Sequence, residues 1–279
     1  MDKNNESLDR IIRYYNREFS ENDRLKSNWG QLEYIRSLEI INRYLSKPPA
    51  IILDVGGGSG KYSCWLAKKG YEVHLIDPVP LHINQAIEYS NNQSDFPIAS
   101  CTIGDARNLN NQDSSVDCIF LMGPLYHLQQ REDRIKALKE CYRVLKKDGY
   151  LFAVGISKFV SIIDGFCEGY FRDPEFRKII FQDLKNGQHI NPTKNPLYFT
   201  DAFFHHPEEL KDEVEEAGFI VEDLIGIECN SYNIKDFDKT WEEEREREFL
   251  LKVLRIIESD SSLIGASPHI MCVAKKILS

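Results

Sequence analysis

Apolar residues recur at helical spacing near the start of the chain, as at Leu8, Ile11, Ile12 and Tyr15, and predict helix over residues 7–46. A polar break near Glu21-Asn22-Asp23 divides this stretch in two, and Pro48-Pro49 stops it. The pattern then changes. Short apolar runs at 50–55, 72–76, 98–103, 116–122 and 149–155 have strand length, while 60–69, 80–91 and 131–146 carry helical patterns. Strands alternating with helices predict a parallel sheet covered on both faces. An aromatic-rich stretch from about 157 to 206 interrupts the alternation. Beyond it, Glu208 to Ala217 reads as a helix ended by Gly218, a common left-handed cap. A strand at 219–227, a charged helix at 237–258 and a last strand at 269–276 complete the chain. The run Trp241 to Glu248 mixes both signs of charge, as a solvated helix face does. The expected organisation is a helical cap over 1–47 and a main domain over 48–279, with an insertion at about 157–206.

Composition narrows the class. A chain of 279 residues has ample core for one large domain, and 42% hydrophobic with 28% charged residues is an ordinary globular balance. No apolar run approaches a membrane span, and the start Met1-Asp2-Lys3-Asn4-Asn5-Glu6 does not resemble a signal peptide. The seven cysteines lack metal-binding spacing, so buried free thiols and a cytoplasmic location are expected, with no metal. The net charge of −9 and the absence of a dense basic tract argue against nucleic acid as partner.

Candidate chemistry begins at Ile51-Ile52-Leu53-Asp54-Val55-Gly56-Gly57-Gly58-Ser59-Gly60. Glycines here let the backbone take positive φ and pass close to a ligand. Helix-start amides can face that ligand too. Asp54 would repel a pyrophosphate but suits a cationic amino acid. Asp77 and Asp105 end the next two strands in the same way, and an open α/β sheet binds ligands beyond the carboxyl ends of its strands. A carboxylate such as Asp77 can accept from two vicinal hydroxyls at once. Each acid alone has a plainer reading, Asp54 as a helix cap and Asp77 as a turn residue before Pro78.

The spacing of Asp54, Gly56, Gly58 and Gly60 resembles the first motif of class I S-adenosylmethionine (SAM) methyltransferases. Four further stretches are similar to that family in order: Val73 to Asp77, Ile103-Gly104-Asp105-Ala106, Val116 to Gly123, and Arg143 to Leu151. The resemblance implies a Rossmann-like, mostly parallel seven-stranded sheet with an antiparallel last strand, helices on both faces, and a lid from the N-terminal helices and the 157–206 insertion. It implies SAM as cofactor, S-adenosylhomocysteine (SAH) as product, and a cofactor site of Asp54, Gly56, Gly57, Gly58, Gly60, Asp77, Pro78, Asp105, Ala106, Met122 and Gly123. Arg36 could meet the methionyl carboxylate, or lie on a solvated helix face. The Asp/Asn-Pro-Pro-aromatic motif of many DNA and RNA amino-methyltransferases is replaced by Gly123-Pro124-Leu125-Tyr126-His127, which favours a small-molecule acceptor.

Candidate acceptor-binding residues are Tyr14, Tyr15, Trp29, Tyr170, Tyr198, His205 and His206, with Phe166, Phe171, Phe199, Phe203 and Phe204 beside them in the lid. Aromatic faces can surround a sulfonium or an amine, and they can equally pack a lid onto a sheet. Tyr126 and His127 are the catalytic candidates: a histidine just past the fourth strand could take a proton from a thiol, phenol or amine, or could close over the adenine or cap the helix entered at Arg131. His74 and His82 read as structural. The expected activity is methyl transfer from SAM to O, N, S or C of a small molecule, by a monomer or homodimer with no membrane partner. Two other readings stay open, a SAM-binding regulatory subunit without catalysis and a nicotinamide-dependent oxidoreductase; the latter would want GxGxxG where this chain has GxGxG.

Overall fold

The computed structural model describes residues 11–15, 24, 26–93, 95–193 and 195–278. Residues 11–15 are helical, and the break expected at 21–23 lies outside the described residues. The first long helix, α1 (Asn28–Tyr44), is capped by the Ser27 hydroxyl, which accepts from the Gly30 amide at 3.1 Å. Then follow β1 (Ile51–Val55), α2 (Lys61–Lys68), β2 (Glu72–Asp77), α3 (Pro80–Asn91), β3 (Ser100–Ile103), β4 (Val116–Leu121), the single turn α4 (Pro124–His127), α5 (Arg131–Val144) and β5 (Leu145–Ser157). The insertion folds as α6 (Val160–Cys167), α7 (Pro174–Asn186), β6 (Gln188–His189) and β7 (Ala202–His205). α8 (Pro207–Glu216), β8 (Ile220–Gly226), α9 (Phe237–Glu242), α10 (Glu244–Ile257) and β9 (His269–Lys275) close the chain.

The central strands read as unbroken apolar runs because both faces of the sheet are covered. Alternate residues serve opposite faces. Leu53, Val55, Ile119, Leu121, Leu151 and Ala153 join one core cluster, which α5 and α8 cover through Leu138, Cys141, Leu210 and Val214. Ile52, Phe120, Phe152 and Val154 join the other, covered by α1 to α3 through Ile40, Ile41, Leu66 and Ala86.

The strand order β3-β2-β1-β4-β5 is parallel, and β9 lies antiparallel between β5 and β8. These are the seven expected strands. Two more, β6 and β7, come from the insertion, where the sequence pattern predicts none: β7 pairs with β5 at Ile156↔Phe204 and Ser157↔His205, and β6 pairs with β7. The charged helix expected over 237–258 is two helices, since Glu243 is extended (φ −83°, ψ 111°). All seven cysteines are free, and Cys167 is exposed rather than buried. Among the described residues, no helix is long and apolar enough to cross a membrane.

Candidate active site

At the carboxyl ends of β1 to β4 lies a cavity of about 620 Å³. Its floor is the turn after β1. Gly56 has φ +73°, and a Cβ there would sit 2.6 Å from Pro124 Cδ; at Gly57 a Cβ would lie 2.8 Å from the Asp54 carboxylate. Asp77, the last residue of β2, clamps this turn. Its Oδ2 accepts from the Gly58 amide at 3.0 Å, and its Oδ1 from the Val79 amide at 2.8 Å, with His82 Nδ1 at 3.1 Å. A carboxylate offers roughly four acceptor positions, so about one remains for a ligand hydroxyl.

Asp54 is buried and accepts from the Ser63 hydroxyl at 2.6 Å. Burial pushes its carboxyl up to about 6; the Ser63 bond works against this and the nearby Asp77 charge adds to it. A buried acid in that state gains from a cationic ligand. Asp105, two residues past β3, accepts from the Arg107 amide at 2.8 Å and from its guanidinium at 2.6 Å. Burial opposes its charged form, yet Arg107 outweighs burial and holds the carboxyl below the usual range. Two buried carboxylates, a glycine turn and Asp105 beside the Ala106 backbone fit the ammonium, ribose and base of SAM, and would repel the pyrophosphate of a nicotinamide dinucleotide.

A second chamber of about 430 Å³ adjoins the first, and Tyr15, Arg24, Glu33, Tyr126 and His269 line both. Its remaining wall comes from Tyr14, α1, the 156–204 region, and Glu228, Tyr232 and Pro268 nearer the end of the chain. At the join, Tyr15 and His127 meet, hydroxyl to Nε2, at 2.9 Å. Tyr15 also stands edge-on to His82, with centroids 4.9 Å apart. Beyond them Glu228 accepts from His269 Nδ1 at 2.6 Å.

Among the residues singled out from sequence, Asp54, Gly56, Gly57, Gly58, Asp77, Pro78, Asp105, Ala106, Met122, Gly123, Tyr126 and His127 border the first cavity. Gly60 does not: at φ +82° it is the left-handed start of α2, packed on Ala86. Tyr14, Tyr15, Trp29 and Tyr198 line the second chamber. Arg36 is a correction. It is fully buried away from both cavities, ion-paired with Glu258 and Glu39 and donating to the Ile227 carbonyl, so its charge is already matched. His205 and His206 are corrected as well. His205 lies inside β7 against Glu213 at 3.3 Å, and His206 caps α8, accepting from the Glu208 amide. Tyr170 packs on Phe176 and Tyr198 behind the chamber wall. Sequence reasoning missed Arg24, Glu33, Asp164, Glu228, Tyr232 and His269, and took His82 for a structural residue. Only His82 had a legible signal, its place five residues past Asp77 in the first turn of α3.

Residues 53–153 match the family model described as "Methyltransferase domain". The chain is similar to the Ubiquinone/menaquinone biosynthesis C-methyltransferase UbiE of Haemophilus ducreyi, 27% identical over 173 residues that make up 60% of this chain and 63% of that protein. It is similar to Probable tRNA methyltransferase 9B of Mus musculus, 30% identical over 105 residues, 38% of this chain and 21% of that one. The chain thus spans less than two thirds of either relative. In fold it is similar to a SAM-dependent methyltransferase of Methanosarcina mazei, with a TM-score of 0.59 at 21% identity, over 86% of this chain and 98% of that chain.

Proposed function

We propose, from the match of residues 53–153 to the methyltransferase-domain model, that this protein moves the methyl group of SAM to a nucleophilic O, N, S or C of a small molecule. The observation that carries the reading is the join of the two cavities: one has the donor set for SAM, and the other opens beside it behind Tyr15 and Tyr126. Bound SAM supplies a methyl on a sulfonium, which a nucleophile displaces in line. In this reading Asp54 faces the ammonium of the methionyl group, Asp77 the ribose, and Asp105 with the Ala106 amide the adenine edge. Arg24 and Arg107 line the cavity and Arg36 does not; Arg107 is held by Asp105, and Arg24, itself ion-paired with Glu33, is the one assigned to a carboxylate there.

Such a reaction needs its partners held close and water kept out, and orientation can supply on the order of 7–11 kcal/mol of the barrier. The lid residues Tyr14, Tyr15 and Phe199 serve that exclusion; Tyr14 and Phe199 pack edge-on with centroids 5.8 Å apart. Where the nucleophile carries a proton, His127 takes it, with the Tyr15 hydroxyl 2.9 Å from its Nε2 as the link to the second chamber. The C-methylation of the UbiE relatives and the tRNA in the name of the mouse relative mark two directions within this chemistry. The net charge of −9 weighs against tRNA.

The test is SAH release from SAM across thiols, amines, phenols, carboxylates and cell extract. Release that depends on one acceptor class supports the reading and names the nucleophile; tight SAM binding with no release from any pool supports a regulatory binder instead. His127→Ala and Tyr15→Phe should each lower turnover by about tenfold or more while SAH affinity moves by less than about threefold. Unchanged turnover on a proton-bearing acceptor would remove the proton-transfer role.

A further inference from the structure

The second chamber combines aromatic rings with carboxylates, and most of its charge is already paired. Arg24 is ion-paired with Glu33. His269 is bound to Glu228; burial opposes its charge, but Glu228 and Glu33 override burial and push the imidazole up to about 9. His189 faces Asp183 Oδ2 at 2.9 Å through one ring nitrogen and the Tyr198 carbonyl at 2.7 Å through the other. One acid remains. Asp164, on α6, lines the chamber, and no donor or ion-pair partner among the described residues reaches its carboxylate.

Loss of hydration, then the Glu168 charge, push the Asp164 carboxyl up to about 6, while His269 and His189 work against the shift from beyond ion-pair distance. Tyr232 stands among the acids: its phenol is pushed up first by burial and then by the charges of Asp164, Glu228 and Glu33. Trp29 stacks on the Tyr232 ring with centroids 4.3 Å apart. Phe176, Tyr198 and Phe199 extend the aromatic wall. A desolvated carboxylate without a bonded counter-ion is costly, and ring faces attract cations. One kind of ligand meets both conditions. A neutral aromatic acceptor would fill the rings but leave the Asp164 carboxylate without a bonded partner, and an anion would face three acids, Glu33, Asp164 and Glu228.

Resting on the methyltransferase reading above, we propose that the second chamber receives an acceptor that bears an ammonium group, with Asp164 as its counter-ion and the Trp29–Tyr232 pair as its aromatic flank. Calorimetry on the full chain, with and without SAH, tests this with two matched pairs: 2-phenylethylamine against 2-phenylethanol, and 3-phenylpropylamine against 3-phenylpropanol. Each amine should bind about tenfold or more tighter than its alcohol. Asp164→Asn should erase that preference and leave SAH affinity within about twofold, since SAH occupies the other cavity. Equal or undetectable binding within the pairs, or a preference that survives Asp164→Asn, overturns the proposal. SAH binding reports separately on the cofactor half. Its loss in the unaltered protein would sink the methyltransferase reading, whereas intact SAH binding without ammonium preference sinks only this inference.

Discussion

With three protein donors on its carboxylate, Asp77 both borders the first cavity and ties the glycine turn to the head of α3. Asp77→Ala should therefore do more than weaken cofactor binding. Hydrogen bonds to a charged group contribute roughly 1.5–3 kcal/mol each, and partial rescue by water brings the expected loss of stability to about 2 kcal/mol. Calorimetry should show SAH affinity down by about tenfold or more, and thermal unfolding should show the lowered midpoint. An unchanged affinity would remove the ribose assignment. At this scale the first cavity was legible, because Asp54, Asp77 and Asp105 occupy strand ends that apolar runs mark out. The arginine was not. Arg24 and Arg36 both fall in polar-apolar helical pattern near the N-terminus, and nothing in that pattern tells which one lines a cavity. Glu258, which captures Arg36, lies 222 residues away along the chain.

Elements are held to the sheet by buried ion pairs as well as by apolar faces. Glu258, just past α10, binds both Arg36 and Arg43 of α1. Removing one side of such a buried set leaves an uncompensated charge, so Glu258→Ala should destabilise by about 3–5 kcal/mol in denaturant titration. SAH affinity, measured where the variant is still folded, should not change, since neither Arg36 nor Glu258 lines a cavity. A second set joins α5, β7 and α8: Arg134 and His205 both bond Glu213. Burial disfavours the Glu213 charge, but His205 and Arg134 outweigh it and bring the carboxyl down to about 2. A depressed acid stabilises fully above its ordinary value near 4.5, and that stability fades as pH falls towards 2. The loss should come to about 3 kcal/mol over the window. Burial depresses His205 despite Glu213, which adds a loss in the same direction below its ordinary value of 6.5. Glu213→Gln should flatten the acid limb of stability against pH, and an unaltered limb would place the acid sensitivity elsewhere. The helices and strands of 50–155 could be read from their periods, but β6 and β7 could not. Two to four residues carry no period, and their pairing is fixed by the late register of β5.

At the scale of the whole molecule, the two cavities are built differently. The first draws mainly on a local stretch of chain, from β1 to the start of α5. The second gathers residues from Tyr14 to His269, so no window of sequence contains it. That is why the aromatic wealth of the insertion pointed to a lid, while the acids that set the chamber's character, Asp164 and Glu228 among them, passed unnoticed. The insertion also has a particular mode of attachment. It leaves β5 after Ser157 and returns in β7 beside that residue, and the Lys158 amide donates to the His205 carbonyl at 2.8 Å. Entry and exit are neighbours on one strand. A segment mounted in this way can lengthen, shorten or be replaced over evolutionary time without displacing the sheet beneath it. Descendants of one ancestor could thus inherit the first cavity unchanged and vary one wall of the second, by rewriting the chain between residues 158 and 201.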